Sequence, residues 1–361
     1  MGNLKAISLF SGCGGSDLGA KLAGVDIVFV NDSNADAIDT YKKYQTLLAS
    51  TGAEVRRCKV TSIKSFPSCD LLIGCYPCQS FTMGGHRSPG KDPRSNLFME
   101  FNRCLSLSEP SFFITENVSG LAWLENGEYL KKQIECFSAA GKGYNISVEL
   151  LNAKDFGVPQ DRKRVIIIGV KKEIGLFYYF PKPTHGPSGT GLLPWTSHGD
   201  VISGLPLMPS GDFYHYEAEP FSWWYLSRNR KRKWNEPSFS IQANWRHVSL
   251  HPASPTMHMV ESNLKDGFKQ RWEFTSEYDH LEGHPERPTL EKPRRLSWRE
   301  CALIQTFPED FEPSGSVYSK YRQIGNATPP LLMSILVNGI SKETALRPDK
   351  YKTSARSLAG Y

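Results

Sequence analysis

Residues 6–15 read Ala6-Ile7-Ser8-Leu9-Phe10-Ser11-Gly12-Cys13-Gly14-Gly15, a short apolar run that breaks into a glycine-rich turn. The helix-compatible stretch 17–23 follows and is closed by Gly24. A strand turned sharply into a helix is the opening unit of a nucleotide-binding α/β fold, because the glycines let a cofactor approach backbone N–H groups at the helix N-terminus. Further apolar runs at 27–30, 70–75, 112–115 and 165–170 repeat the theme. Helix-like segments lie between several of them, such as 97–107 ahead of Pro110. Runs of this length suit parallel strands buried on both faces, and the alternation predicts a doubly wound α/β sheet. The glycines fall at 12, 14, 15 and 19, off the dinucleotide fingerprint, which makes hydride transfer the weaker reading. Asp32, just past the second run, is placed to hydrogen-bond a ribose hydroxyl.

Composition narrows the class. The 361 residues carry 43 Lys and Arg against 37 Asp and Glu, a net charge of +6 that fits either a polyanion-binding face or an ordinary enzyme. A mean hydropathy of −0.40 excludes a membrane protein, and 12% aromatic with only 22% charged residues excludes a disordered chain. The length suggests two domains at roughly 150 residues each. Eight cysteines without framework spacing, no signal peptide and no run of transmembrane length suggest a reduced, cytoplasmic protein. Ala6 stands where a myristoylation signal needs a hydroxyl. From about Pro181 the chain turns to Pro, Gly, Trp and His with short alternating pieces such as 238–243, a second, irregular, partly β domain. Its densest charge cluster is Arg228, Arg230, Lys231, Arg232 and Lys233, with no acid among them. Helical patterns return at 297–305 and 331–340, and the end of the chain is polar.

Three stretches carry chemistry. Gly74-Cys75-Tyr76-Pro77-Cys78-Gln79-Ser80-Phe81 follows a buried strand, so Cys78 stands at the sheet edge where open α/β folds place their ligands. Zinc would need about four ligands and no second cysteine pair matches; a redox pair would need a thioredoxin-like context. Cys78 therefore reads as a lone nucleophile with Cys75 as strand filler, and the Gly-, Ser- and Pro-rich stretch 82–94 as a loop able to close over a substrate. Glu116-Asn117-Val118 offers a carboxyl at a strand end, though a helix N-cap explains the same residues equally well. In Gln160-Asp161-Arg162-Lys163-Arg164, residues 160, 162 and 164 would share one strand face, either as a clamp on a substrate oxygen or phosphate or as a solvated basic edge.

Taken in order, these segments resemble the C5-cytosine-specific DNA methyltransferases of the bacterial restriction-modification type. Two later stretches strengthen the likeness: Arg295-Leu296-Ser297-Trp298-Arg299-Glu300 through Gln305 to Pro308, and Tyr321 to Pro330 around Gly325-Asn326. The resemblance spans about residues 5 to 345. It implies a Rossmann-like S-adenosylmethionine-dependent domain at 1–185 completed by 319–345, a smaller target-recognition domain at 186–318, and a polar tail at 346–361. It assigns catalysis to Cys78, Glu116, Arg162 and Arg164. Cofactor binding falls to Phe10, Ser11, Gly12, Cys13, Gly14, Gly15, Asp32, Pro77, Leu97 and Asn326. Ser33 and Lys59-Val60-Thr61 depart from the family's usual adenine contacts.

The partner implied is double-stranded DNA, with no metal, no membrane and no obligate protein partner, and with a monomeric enzyme. Gln79 and Ser80 would contact DNA, the cluster 228–233 would grip phosphates, and Gln242 and Arg246 would read bases at the end of an alternating strand, beside Asn244, Trp245 and His247. A packed polar loop explains any one of those readers as well. The transfer-RNA branch of the family carries a Cys-Phe-Thr tripeptide that this chain lacks. A catalytically idle nucleic-acid-binding regulator would be expected to have lost Cys78 or Glu116, and both are present.

Overall fold

The structure, a computed structural model, describes residues 3–76, 97–212, 221–262, 270–279 and 289–348. The chain divides into two compact units, one of Met1–Asn152, Lys163–Lys182 and Thr328–Tyr361, the other of Ala153–Arg162 and Pro183–Ala327.

The first unit opens with β1 (Lys5–Leu9), α1 (Gly15–Leu22), β2 (Asp26–Asp32), α2 (Ala35–Lys43), the short α3 (Gln45–Leu48) and β3 (Glu54–Arg57). It continues through β4 (Leu71–Gly74), α4 (Leu97–Ser108), β5 (Phe112–Val118), α5 (Glu128–Ser138) and β6 (Tyr144–Asn152). The two-residue β7 (Gln160–Asp161) belongs to the second unit, and β8 (Lys163–Lys171) returns to the first. The seven strands of the main sheet stand in the order β3-β2-β1-β4-β5-β8-β6. β1 to β5 pair in parallel, as doubly wound sheets do.

β8 departs from the expected parallel sheet, running antiparallel to both β5 and β6. The reason lies in the connection. A parallel return needs a crossover of a dozen or more residues, usually a helix, and residues 153–162 hold only one 3-10 turn and β7. Because Val165, Ile166, Ile167, Ile168 and Val170 are all buried, the run reads alike in either direction.

Packing explains the helix sequences. Phe101 of α4 and Phe137 of α5 meet each other and Phe113 edge to face, while Phe98 meets Phe137 and Tyr144 meets Phe113, with ring centroids 5.3–6.4 Å apart. Each fully buried ring of this kind contributes about 2 kcal/mol over its exposed state. α1 lies against α9 (Pro330–Ser341) so closely that a Cβ on Gly19 would stand 2.5 Å from the Pro330 carbonyl oxygen. The stretch expected as a tail from 346 begins instead as a strand, since Leu346–Pro348 pairs antiparallel with Leu176–Tyr178.

The second unit is built from short pieces: β7 paired with Ser238–Phe239, His185–Gly186 with Leu193–Pro194, and an antiparallel ribbon of Met257–Ser262 and Gln270–Phe274. Its helices are α6 (His198–Ile202), α7 (Trp298–Ile304) and α8 (Val317–Asn326). The core gathers Tyr225, Trp234, Leu250, Leu296, Trp298, Ile304 and Tyr321. Within it Glu300 is fully buried and receives both terminal nitrogens of Arg294 at 2.8 and 2.9 Å, the Ser297 N–H at 2.6 Å, and His251 Nε2 at 3.4 Å. The alternating strand expected at 238–243 ends after Phe239, and a 3-10 turn at Trp245–His247 follows, capped by the Asn244 side chain. Among the described residues no helix is long and apolar enough to cross a membrane.

Candidate active site

At the C-terminal end of β1 the chain enters its glycine turn through left-handed backbone at Phe10 (φ 57°), Gly12 (φ 55°) and Gly14 (φ 90°). Phe10 carries a Cβ into that region, a strain of about 1 kcal/mol of the sort that persists at functional sites. Asp32, at the end of β2, fixes the turn. Its Oδ2 accepts the Gly12 N–H at 2.8 Å and its Oδ1 the Asn34 N–H at 2.8 Å. A carboxylate has about four lone-pair sites, so a ribose hydroxyl can still join these two bonds. Among the described residues Ser11 Oγ is buried without a hydrogen-bond partner, and a Cβ on Gly12 would meet nothing within 4 Å. An orphaned hydroxyl beside open backbone fits a polar cofactor laid along the turn. Cys13 is buried, its thiol pushed up to about 12 chiefly by burial, which leaves its peptide group to serve the turn.

The end of β4 meets this turn. Phe10 and Tyr76 pack edge to face with centroids 6.4 Å apart. Cys75 Sγ lies 3.3 Å from Ser16 Oγ at the start of α1 and 3.3 Å from Thr328 Oγ1. Burial first, and then the charge of Glu116, push the Cys75 thiol up to about 11, so it remains a protonated packing group at neutral pH. Pro77, Cys78, Gln79, Ser80 and the whole of 82–94 lie outside the described residues. Leu97 opens α4 and packs on the aromatic core, and Asn326 closes α8 at the surface.

Glu116 is buried in β5. In the antiparallel register Glu116 faces Ile166 and Val118 faces Arg164, which puts Arg164 two residues along on the same face as Glu116. Arg164 Nε approaches Glu116 Oε1 to 2.8 Å, with side-chain exposures of 12% and 7%. That contact separates the two readings of the motif. β5 runs through Val118, the following 3-10 turn has no side-chain cap, and Asn117 Oδ1 accepts its neighbour's N–H at 2.8 Å. The carboxyl serves a charge-assisted pair rather than a helix cap.

The expectation that residues 160, 162 and 164 form one clamp is corrected. The strand breaks at Arg162, and the three side chains go to different places. Gln160 Oε1 accepts the Ile241 N–H at 2.9 Å, and its Nε2 donates to Gln305 Oε1 at 2.9 Å. Arg162 is buried and donates to the carbonyls of Gly325 (3.3 and 3.4 Å) and Ala327 (3.0 Å). Its guanidinium thereby holds the end of α8 and the residue that follows it. Arg164 is the one placed beside the Glu116 carboxylate by the strand register.

The five-cation cluster is also corrected. Only Arg228 and Lys233 are exposed. Arg230 is buried on the rings of Trp224 and Tyr225 and donates Nε–H to the Tyr225 carbonyl at 2.9 Å. Lys231 is buried against Asp279, and Arg232 lies on the Phe239 ring with Asp161 and Glu236 3.8 and 3.7 Å away. A long cationic stem desolvates readily when an aromatic face or a distant acid receives it. Gln242 and Arg246 are exposed, whereas Trp245 is packed. Sequence reading passed over Asp17, fully buried in α1 with Oδ1 accepting the Ser8 hydroxyl at 2.6 Å. Burial holds its carboxyl up at about 6. In sequence it looks like an ordinary first-turn acid. Also unread was the partnership of Arg294 with Glu300, although Ser297-x-x-Glu300 has the spacing of a capping box.

The chain matches the family profile described as C-5 cytosine-specific DNA methylase over residues 4–190 and 209–342. It is 36% identical to the type II methyltransferase M.BsuRI of Bacillus subtilis, over 94% of this chain and 79% of that protein. To M.FnuDI of Fusobacterium nucleatum it is 34% identical over 98% of both. Among solved structures, a putative DNA modification methyltransferase encoded within an E. coli prophage superposes with a TM-score of 0.60 at 24% identity, covering 94% of this chain and 99% of that one. The S. pombe Dnmt2 methyltransferase gives 0.58 at 19% identity over 94% and 98%, a likeness of fold. A sheet edge joining a glycine turn, a buried Glu-Arg pair and the family's ordered motifs leads to one assignment: the chain belongs to the C-5 cytosine-specific DNA methylases and is a DNA (cytosine-5-)-methyltransferase.

Proposed function

We propose that the enzyme transfers the methyl group of S-adenosylmethionine to carbon 5 of cytosine within a specific double-stranded DNA sequence, through a covalent adduct on Cys78. The buried Glu116–Arg164 pair carries this reading. Carbon 5 of cytosine is a poor nucleophile. Addition of the Cys78 thiolate to carbon 6 moves a π pair toward carbon 5 and ring nitrogen 3, giving an enamine that can attack an electrophilic methyl group. Glu116 sits at the strand end to hold nitrogen 3 as charge gathers there, and Arg164 orients that carboxyl. Loss of the carbon 5 proton, with expulsion of the thiolate, restores the aromatic base and the enzyme.

S-adenosylmethionine, when bound, supplies the electrophilic methyl group. The turn from Phe10 to Gly15 would hold it with Asp32 on the ribose, and the resemblance adds Pro77, Leu97 and Asn326. A base stacked in a duplex is out of reach of a thiol, so the target cytosine must be turned out of the helix. In the second unit, Arg228 and Lys233 are the members of the basic cluster left to meet phosphates, with Gln242 and Arg246 as base readers. The product would protect DNA against a companion restriction endonuclease.

A methylation assay on mixed-sequence DNA tests this. Cys78→Ser should abolish transfer and leave DNA binding within about twofold. Transfer to RNA alone, or full activity in the variant, would overturn the reading.

A further inference from the structure

Residues 58–69 leave β3 without joining the sheet, and a 3-10 turn at Val60–Ser62 is their one regular element. Backbone polar groups in such a stretch need partners from elsewhere. Two side chains supply them from opposite ends. Asn31, 1% exposed in β2, donates its amide N–H groups to the carbonyls of Arg56 at 3.2 Å and Cys58 at 2.9 Å, with Cys58 Sγ 3.4 Å away. Arg103 of α4 donates to the carbonyls of Val60 at 3.0 Å and Ile63 at 2.9 Å, while its Nε donates to Glu100 Oε2 at 2.9 Å. The same guanidinium lies 5.6 Å from the ring of Phe66, which meets Phe29 edge to face.

Asn31 is bonded to the glycine turn as well. Its carbonyl accepts the Ser11 N–H at 3.1 Å, and the next carbonyl, that of Asp32, accepts the Cys58 N–H at 3.2 Å. Asp32 in turn holds Gly12 through its side chain. Asparagine is a poor strand former, and a buried amide offsets its desolvation only when hydrogen-bonded, so packing alone would favour an apolar residue here. The amide instead ties together the glycine turn, the end of β2 and residues 56–58, the three segments gathered around Asp32.

Resting on the cofactor role proposed above, we infer that Asn31 and Arg103 are positioning residues for the nucleoside end of S-adenosylmethionine. Neither has to touch the cofactor. Asn31 fixes residues 56–58 beside Asp32, and Arg103 fixes residues 60–63 beyond them, so the carboxylate that receives the ribose stands against a wall of set position. That wall is ordered before the cofactor arrives, and the loss on removing either tether therefore falls on affinity rather than on methyl transfer.

Asn31→Ala and Arg103→Ala should raise the KM for S-adenosylmethionine about tenfold and about threefold, with kcat at saturating cofactor and DNA affinity within about twofold of the unaltered enzyme. Their combination should lose less than the product of the single factors, because both tethers act on one segment. Fragments localise the effect. Methylthioadenosine, which carries the nucleoside without the amino acid, should lose the same factor as S-adenosylhomocysteine when binding is followed by calorimetry. Arg103 is half-buried, so its variant tests the inference should Asn31→Ala fold poorly. Unchanged cofactor affinity in both variants, a loss of kcat at unchanged KM, or a loss for S-adenosylhomocysteine that methylthioadenosine does not share overturns the inference and leaves the proposed activity standing. Failure of the unaltered enzyme to bind S-adenosylmethionine, with or without DNA, overturns the cofactor role and this inference with it.

Discussion

The two units handle buried charge in opposite ways. In the first, Arg164 is answered by a carboxylate at 2.8 Å on the same sheet face. In the second, Arg228, Arg230, Arg246 and Arg295 rest on aromatic rings. A paired charge is committed to geometry, because moving it exposes its partner to a low dielectric. A cation on a π face keeps much of its field and stays available to an incoming anion. The same residue type thus answers a buried carboxylate in one unit and aromatic faces in the other. What distinguishes the roles is the partner.

The sharpest way to break this contrast is to remove the paired arginine. Arg164→Ala leaves Glu116 buried and alone. It should lower stability by about 3 kcal/mol and reduce kcat at least about 100-fold, as read by urea unfolding and single-turnover methylation. Combining it with Glu116→Gln should restore most of the stability and none of the activity. A double variant as unstable as the single one would show that the pair has little to do with the loss.

A second test uses pH, to which the units respond with opposite sign. His198 is fully buried and burial holds its imidazole down at about 4, so it stays neutral in the fold while an unfolded chain protonates it near 6.5. Its contribution is present above pH 6.5 and is lost, to about 3 kcal/mol, as pH falls to 4. Asp17, held up at about 6, keeps its proton in the fold while the unfolded chain loses it near 3.8. The first unit therefore gains stability from it as pH falls from 6 toward 4. Seven of the eight tryptophans, all but Trp123, belong to the second unit, so their fluorescence reports on that unit. Its urea midpoint should drop between pH 6.5 and 4.5, and His198→Phe should flatten the drop. An unchanged midpoint would remove His198 as the cause.

The smallest effect separates two neighbours in the basic cluster. Lys231→Ala should destabilise the second unit by about 2 kcal/mol, because Asp279 loses its partner, and leave the salt dependence of DNA binding unchanged. Lys233→Ala should leave the melting temperature alone and lower the slope of log affinity against log salt by about 1. Equal salt slopes in the two variants would return Lys231 to the DNA face.

These contrasts show where the sequence is readable. The glycine turn, the strand and helix alternation and the helices at α1, α4, α7 and α9 follow from local pattern and are found within a residue or two of expectation. The direction of β8 does not, because a strand buried on both faces carries no mark of its polarity. The separate fates of Gln160, Arg162 and Arg164 were equally hidden. Three polar residues at alternate positions look alike until the chain breaks at 162 and brings Gly325 to one and Glu116 to another. Arg230, Lys231 and Arg232 counted toward a surface patch because the groups that absorb them, Trp224, Asp279 and Phe239, stand on other segments. Asp17 escaped notice for a related reason, since burial is a property of its neighbours.

The contact between α1 and α9 reaches further than packing. Ser341 donates to the Ala23 carbonyl across 318 residues, and Gly19 seats α1 on Pro330 with no room for a methyl group. A chain leaving the ribosome therefore carries its glycine turn and α1 through some 318 residues of synthesis before the helix that covers them exists. Topology of this kind makes folding slow and leaves apolar surface open to wrong partners meanwhile. The glycine turn, at the start of the first unit, is therefore left without its covering helix until α9 has been translated.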